Sequence, residues 1–413
     1  MRKVIVIGGG AAGLLAAGRA AECGAKVTLL ERGPILARKL RISGKGRGNI
    51  TNTAEMKDFI AAFGTNGKFL YGAFSRFSQD DLVQLMDRLS VPTKVERGGR
   101  VFPVSDSAPE VADALEKWIL GLGVQIKRNT RVKGIMVAED RVAGADTFSG
   151  PMKAEAVIVA TGGTSYPKTG STGDGYAMAA GVGHDVVPTR PSLSALVTEE
   201  PWVKRLQGLS LRNVAATLYL DNKKIGSEFG EMLFTHFGVS GPIVLTLSRP
   251  VPDGLKVGKI TLSVNLKGSL SEQQLHDRLI RDFTQTRHFR NYLPDLLPRT
   301  LIPVFIDLVG IPGDMPVNRT TAAQRRAIVD LLRDLRMTIS AARPEDEAIV
   351  TAGGVNIKEI DPRTMESKLL KGLFFAGEVI DIDAVTGGYN LQAAFSTGWV
   401  AGEGAARPAG LLE

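Results

Sequence analysis

A glycine pattern at the N-terminus constrains this chain more than any other feature. Lys3–Ile7 is a short β-branched run suited to a buried parallel strand. Gly8, Gly10 and Gly13 follow as G-x-G-x-x-G, and Leu14–Cys23 continues as an Ala-rich helix that Gly24 can stop. Lys26–Leu30 reads as a second strand ending in Glu31, 18 residues after Gly13. This is the β-α-β opening of a doubly wound sheet. The first glycine permits the tight turn, the second lets the backbone approach a pyrophosphate, and the third lets helix and strand pack closely. The helix N-terminus, with Ala11 and Ala12, faces the phosphates. Glu31 is placed to accept hydrogen bonds from an adenosine ribose, which argues against a 2′-phosphate there.

The fingerprint alone does not separate NAD from FAD; two later segments do. Val157–Ala160 is an apolar strand running into Thr161-Gly162-Gly163, and Leu373–Ala376 runs into Gly377-Glu378 in the same way. The Glu378 acid is expected to reach the ribityl or pyrophosphate region. Gly387 and Gly388 then open a last helix through Tyr389, Asn390 and Leu391, where backbone N–H groups suit the electron-rich edge of a flavin. The three segments in this order point to FAD.

Between them the character changes. Short alternating segments (Val214–Leu220, Met232–Phe234, Ile243–Leu247, Ile260–Leu266) predict antiparallel strands, and 271–337 reads as helical and Arg-rich. The expected fold is α/β: a Rossmann-type FAD domain from 1–189 and 341–413, interrupted by a β-rich, barrel-like insert (190–268) and a helical insert (269–340).

In these residues the chain resembles the bacterial YhiN-like flavoproteins, a group that includes aminoacetone-oxidase-like and BaiN-like (bile-acid-reductase-like) proteins. The resemblance covers nearly the whole chain. It rests on GGGAAG, on KLRISGKGRGNITN (Lys39–Asn52), GRVFPVS (Gly99–Ser105), Val157–Tyr176, FTHFGVSGP (Phe234–Pro242) and Phe374–Gly398. It implies a glutathione-reductase-like FAD domain, a β-barrel-like insert and a small helical domain. Under it the cofactor residues extend to Arg32, Lys39, Ser43, Gly44, Gly46, Arg47, Asn49 and Val132. Members of the group commonly carry cysteine in the Gly-rich loop; here the position is Gly48, so no thiol acts there.

Flavin does the redox chemistry and the protein supplies position and charge. Lys45 and Arg47 lie in a loop that can wrap an anion, either pyrophosphate or reduced flavin. Arg100 precedes a rigid Val101-Phe102-Pro103 turn and can present its guanidinium to a carbonyl or carboxylate; a structural salt bridge explains it equally well. His236, between aromatics on the insert, and Tyr166, after the ATGG turn, are candidate proton donors, although a lone histidine in that setting is more often structural. The substrate is expected between the flavin and the insert. No metal ligand set is read.

The leading function is an FAD-dependent oxidoreductase moving hydride between flavin and a small organic substrate. NADH, NADPH or oxygen is the other partner; no second G-x-G-x-x-G module is evident, so a nicotinamide would bind transiently without a Rossmann domain of its own. An RNA-modifying flavoprotein and a flavin binder without turnover are the alternatives. Lys and Arg (51) exceed Asp and Glu (43), which suits any anionic partner. The Arg-rich segment (Arg278, Arg281, Arg287, Arg290, Arg325, Arg326, Arg333, Arg336) is interspersed with Asp277, Asp282, Asp330 and Asp334, the pattern of a solvated surface, so nucleic acid is not expected. Three glycines in a row interrupt the apolar start, so it is not a signal peptide, and no run is long enough to span a membrane. A lone cysteine, Cys23, allows no intrachain disulfide and fits the cytoplasm.

Overall fold

A computed structural model describes residues 1–407. They divide into two compact units, one from 1–190 with the chain from Glu345 onward, the other Pro191–Pro344. The sequence reading sets the outer limits of the insert at 190 and 340.

The first unit is built on a five-stranded parallel sheet in the order Leu373–Phe375, Ala156–Val159, Lys3–Ile7, Lys26–Leu30, Gln125–Lys127. Its strands are apolar because parallel strands covered on both faces have no solvent side. Ile7 pairs with Val159 and with Leu30, and Val159 with Phe375. The residues that follow (Gly8, Ala160, Ala376 and Glu31) therefore leave the sheet side by side at its carboxyl edge, where ligands of such sheets bind.

The first helix, Ala11–Glu22, packs against the terminal helix, Tyr389–Ala406. Small residues make this possible: a Cβ on Gly398 would lie 2.3 Å from the Ala12 carbonyl oxygen, and one on Gly402 2.5 Å from that of Ala16. The two ends of the chain thus meet backbone to backbone. Beside the parallel sheet stand an antiparallel meander of 132–138, 141–147 and 150–153, an antiparallel sheet of Thr51–Asn52, Arg100–Pro103 and Thr93–Glu96, and a strand pair of Val186–Ser192 and Val350–Val355.

The second unit is a closed six-stranded antiparallel barrel, ordered 196–198, 238–240, 223–234, 210–220, 260–265, 335–342. Ala216, Leu218, Leu262, Val264, Met337 and Ile339 are buried with the apolar faces of helices Glu272–Asp282 and Ala322–Arg333 in one core. Two expectations need correction. Ile243–Leu247 is not a strand but part of a helix, Pro242–Leu247, with Pro242 in its first turn, where its missing N–H costs nothing. The helical segment is not a separate insert, because the barrel strand Leu335–Ala342 follows it; the helices cross over within the barrel.

One buried polar cluster of the first unit gives a pH prediction. His184 has a fully buried side chain. Its Nδ1 lies 2.9 Å from Glu359 Oε2 and its Nε2 2.7 Å from Ser367 Oγ. Ser367 Oγ already accepts from the N–H groups of Leu369 and Leu370, so its hydroxyl donates to Nε2 and the ring donates to Glu359 from Nδ1. Phe375 packs on the ring edge. Burial pushes the imidazole below its ordinary value, and Glu359 only partly opposes this. The folded state therefore favours neutral histidine. The stability so gained is complete above the unfolded value of about 6.5 and is lost as pH falls through the lower folded value. Melting temperature against pH should fall below about pH 6.5 in the wild type. In His184→Gln that component of the slope should be absent; an unchanged slope would remove His184 as its source.

Candidate active site

The carboxyl edge of the parallel sheet carries the site. Gly8 has φ +102°, and a Cβ there would sit 2.5 Å from the Ala160 carbonyl oxygen. A Cβ on Gly13 would lie 1.8 Å from the oxygen of Gly8, so neither position admits another residue. Gly10 is the opposite case: a Cβ would meet nothing within 4 Å. Gly10 caps the first helix without a side-chain hydrogen bond, so the N–H groups of Ala11, Ala12 and Gly13 have no intrahelical acceptor. Open space before three unpaired donors is what a pyrophosphate requires. Glu31 is buried; its Oε2 accepts from Gly9 N–H (2.9 Å) and its Oε1 from Gly33 N–H (2.8 Å). Each oxygen keeps a lone pair for a ribose hydroxyl.

Several side chains expected on the cofactor also have partners within the protein. The Arg32 guanidinium bonds Thr172 Oγ1 and Asp174 (3.3 Å), and Arg131 grips the same Asp174 at 2.9 and 3.0 Å. Val132 is packed in the core. Lys39 Nζ reaches Glu378 Oε2 at 2.8 Å, Oε1 at 3.1 Å and Ser165 Oγ at 2.6 Å. Glu378 Oε1 also accepts from Thr351 N–H (2.8 Å) and the Ser165 hydroxyl (3.1 Å). Glu378 is thus the knot that ties the 161–166 turn, strand Val350–Val355 and Lys39 together, and only Oε2, beside Gly162, has capacity left.

The Gly-rich loop, Ser43–Gly48, takes left-handed backbone at Gly44, Lys45, Gly46 and Gly48. Lys45 is exposed. Arg47 is not offered to an anion: it pairs with Glu96 and with Asp106 (2.6 Å) and lies 4.3 Å over the Phe102 ring. The two carboxylates raise the arginine further above its ordinary value, and Arg47 in turn holds Glu96 below its own; Lys94 and then Arg47 do the same for Asp106. Ser43 Oγ and Thr51 Oγ1 are buried with no partner in the protein, positions a bound cofactor can satisfy.

The terminal helix begins after Gly387 (φ +131°) and Gly388 (φ +100°). With the Asn49 carboxamide in the orientation that satisfies its neighbours, its oxygen accepts from Gly388 N–H at 3.1 Å. The Gly388 donor is therefore not available to a flavin; those of Tyr389, Asn390 and Leu391 in the first helical turn are. The side chains of two of these residues have other tasks. Asn390 folds back onto Ala384, and Tyr389 packs edge-on against Phe59.

Arg100 is the cross-strand partner of Asn52, so both side chains leave the same face of their sheet. Asn52 Nδ2 reaches the Gly387 carbonyl at 3.0 Å, so Arg100 emerges on the side of the terminal helix's first turn. Its Nε donates to the Arg97 carbonyl (3.1 Å), and among the described residues no carboxylate lies within ion-pair distance. Tyr166, in the same unit, has left-handed backbone (φ 52°). His236 belongs to the second unit, exposed in the turn Thr235–Gly238 with its ring against Phe237. The Arg-rich helices are largely neutralised: Arg278 with Asp282, Arg287 with Asp295, Arg326 with Asp330 and Glu272, Arg336 with Asp334. Asn52, Ser165, Thr351 and Asp174 were not singled out from the sequence. Asn52 stands inside the quoted Lys39–Asn52 motif, whereas Thr351 carries no local signal at all.

A doubly wound sheet with a phosphate cradle, a ribose acid and two further strand-turn contacts at one edge defines an FAD-dependent oxidoreductase. The chain matches the HI0933-like protein Rossmann domain over residues 2–404 and belongs to that family. It is 32% identical over 413 residues to the 3-dehydro-bile acid delta(4,6)-reductase of Clostridium scindens, covering 98% of this chain and 99% of that protein. It is also 32% identical over 399 residues to the ribosomal RNA dihydrouridine synthase of Escherichia coli, covering 96% of each. Among solved structures it resembles the open conformation of a flavocytochrome c3 fumarate reductase (TM-score 0.54, 20% identity, 98% of this chain and 78% of that one). It likewise resembles the 3-ketosteroid-delta4-(5alpha)-dehydrogenase of Rhodococcus jostii (TM-score 0.53, 15% identity, 98% and 97%). These two likenesses are of fold. No helix among the described residues is long and apolar enough to cross a membrane.

Proposed function

We propose that this protein reduces a carbon–carbon double bond conjugated to a carbonyl, with NADH or NADPH as the source of electrons. The observation that carries the reading is Arg100, a guanidinium without a carboxylate partner on the face shared with Asn52 and the first turn of the terminal helix. FAD, when bound, supplies the hydride. The unpaired N–H groups of Ala11–Gly13 and Glu31 would hold its pyrophosphate and ribose, and the first turn of the terminal helix would meet its electron-rich edge. The protein's own task is then at the substrate carbonyl. Negative charge develops on that oxygen as the double bond is attacked, and a fixed cation stabilises it. A proton must also reach the neighbouring carbon. It does not come from a thiol, because Cys23 lies beyond the far end of the first helix from the fingerprint. Tyr166 and His236 are the candidate donors, and Tyr166→Phe and His236→Ala separate them.

Both named relatives support this reaction class: a delta(4,6)-reductase of an oxo-steroid acid and a dihydrouridine synthase each saturate a double bond conjugated to a carbonyl. A small enone is the first substrate reading. A uracil ring in RNA is the second, favoured by charge: the segment 191–344 holds 20 Lys and Arg against 14 Asp and Glu, +6 of the chain's +8. Anaerobic stopped-flow tests the proposal. The purified protein should be yellow, hold one non-covalent FAD per chain and bleach with NADH or NADPH. The reduced protein should then reoxidise with a 4-ene-3-oxo steroid or with uridine-containing RNA. RNA as acceptor would show a steep loss of rate with salt, which the steroid would not. A reduced protein that neither acceptor reoxidises faster than buffer refutes the reading.

A further inference from the structure

We infer that Asn52 is a positioning residue that sets the first turn of the terminal helix and Arg100 in fixed relation to each other. The inference rests on the reading above, which places the reaction at those two features. Three of the four hydrogen-bonding positions of the Asn52 carboxamide are used, including both N–H groups. Nδ2 donates to the carbonyls of Gly387 and Gly98, both at 3.0 Å, and Oδ1 accepts from Ala54 N–H at 2.9 Å. At 3% exposure the side chain is shielded from bulk solvent, so losing any of the three leaves a poorly solvated group unpaired.

The geometry explains why such a tie is needed. Gly387 and Gly388 form the most permissive dipeptide a chain can have, and without anchors the start of the helix would sample many conformations. Asn52 holds the carbonyl of the first glycine and Asn49 the N–H of the second. The Gly388 Cα also rests on the Thr51 backbone, where a Cβ would sit 2.3 Å from the carbonyl oxygen. The second Nδ2 hydrogen secures Gly98, in the turn that leads into Arg100, and Thr53 N–H bonds the Gly99 carbonyl at 2.7 Å. One amide therefore joins the donors that would face the flavin to the strand that carries the substrate cation. Asparagine alone among short side chains has two donors and an acceptor on one planar group; aspartate would set a carboxylate against two carbonyl oxygens.

The test uses the FAD-loaded protein and two readouts that a merely structural role would not move. The first is the midpoint potential of the bound flavin. In Asn52→Ala, loosening the helix start should change the relative affinity for oxidised and reduced flavin about tenfold, a shift of about 30 mV for a two-electron couple. The second is a double-mutant cycle on reoxidation by the enone. Asn52→Ala alone should slow it about tenfold, and in an Arg100→Ala background it should change the rate less than twofold, because the cation it positions is gone. An unchanged potential, or effects that multiply, overturns the inference. If Asn52→Ala does not accumulate, Asn52→Ser, whose hydroxyl can still accept from Ala54, carries both readouts. If Arg100→Ala itself has no effect, the proposed function fails, and the potential alone then decides for Asn52.

Discussion

Arg100→Ala should slow reoxidation of the reduced protein by a conjugated carbonyl acceptor roughly 10²- to 10³-fold, the usual cost of removing a donor from a developing oxyanion. FAD should stay bound, and reduction by the nicotinamide should change little, because the guanidinium makes no contact in the phosphate cradle or with Glu31. The size of the effect follows from what Arg100 lacks. Arg47, four residues beyond Ser43, is held by Glu96 and Asp106, and its field is largely cancelled where it stands. Arg100 donates to a neutral carbonyl and has the Phe102 ring 5.8 Å away, while Glu96, opposite it on the neighbouring strand, forms its ion pair with Arg47. Arg47→Ala is therefore expected to loosen the Gly-rich loop with little effect on the chemical step. Arg100→Lys keeps the charge but not the planar fork, and should recover part of the lost rate. Single-turnover traces of the two half-reactions make the distinction; equal reoxidation rates for wild type and Arg100→Ala would make the arginine structural.

Legibility from the sequence tracks how local each cause is. The cradle was readable because Gly8, Gly10 and Gly13 act through their own backbone, and strand, turn and helix lie within twenty residues. Ala156–Val159 and Leu373–Phe375 were readable as strands that return to the cofactor because each ends in a small-residue turn; their place in the sheet, the first beside Lys3–Ile7 and the second beside the first, was not. The closed barrel was harder. Its last strand has clear alternation, with Leu335, Met337 and Ile339 inward, but Arg333, Asp334 and Arg336 surround it with the charge pattern of the preceding helix. Ile243–Leu247 misled for the opposite reason: five residues, four apolar and three β-branched, look like a strand until Gly241-Pro242 is taken as a helix start. Side-chain commitments were not readable at all. Glu378 and Lys39 lie 339 residues apart, and Arg47 and Asp106 lie 59 apart. Nothing in a single sequence announces that a candidate ligand residue will be consumed by such a partner. The backbone-made part of the site was therefore legible and the side-chain-made part was not.

That division bears on the remaining large effect, because Glu31 is an expected cofactor side chain that keeps acceptor capacity while standing in the phosphate cradle itself. Glu31→Ala should weaken FAD binding by about 2–4 kcal/mol, roughly 30- to 1000-fold in Kd. Two losses add. The ribose hydroxyls lose a charged acceptor, and hydrogen bonds to charged groups contribute about 1.5–3 kcal/mol. The Gly9 and Gly33 N–H groups also lose theirs, and Gly9 sits between the first strand and the open space at Gly10, so the cradle itself loosens. Glu31→Gln separates the two contributions. Its amide oxygen can still accept from one backbone N–H, but its NH2 then faces the other donor, so the cradle is half supported and the ribose still finds a polar partner. Its affinity should fall between wild type and alanine. Titration of the apoprotein with FAD, followed by flavin fluorescence, gives the three constants, and the melting temperatures of the apoproteins show whether the cradle or the whole unit has been lost. Alanine and wild-type constants within threefold of each other, at equal apoprotein stability, would mean that the ribose is held elsewhere and that Glu31 serves only to close the turn.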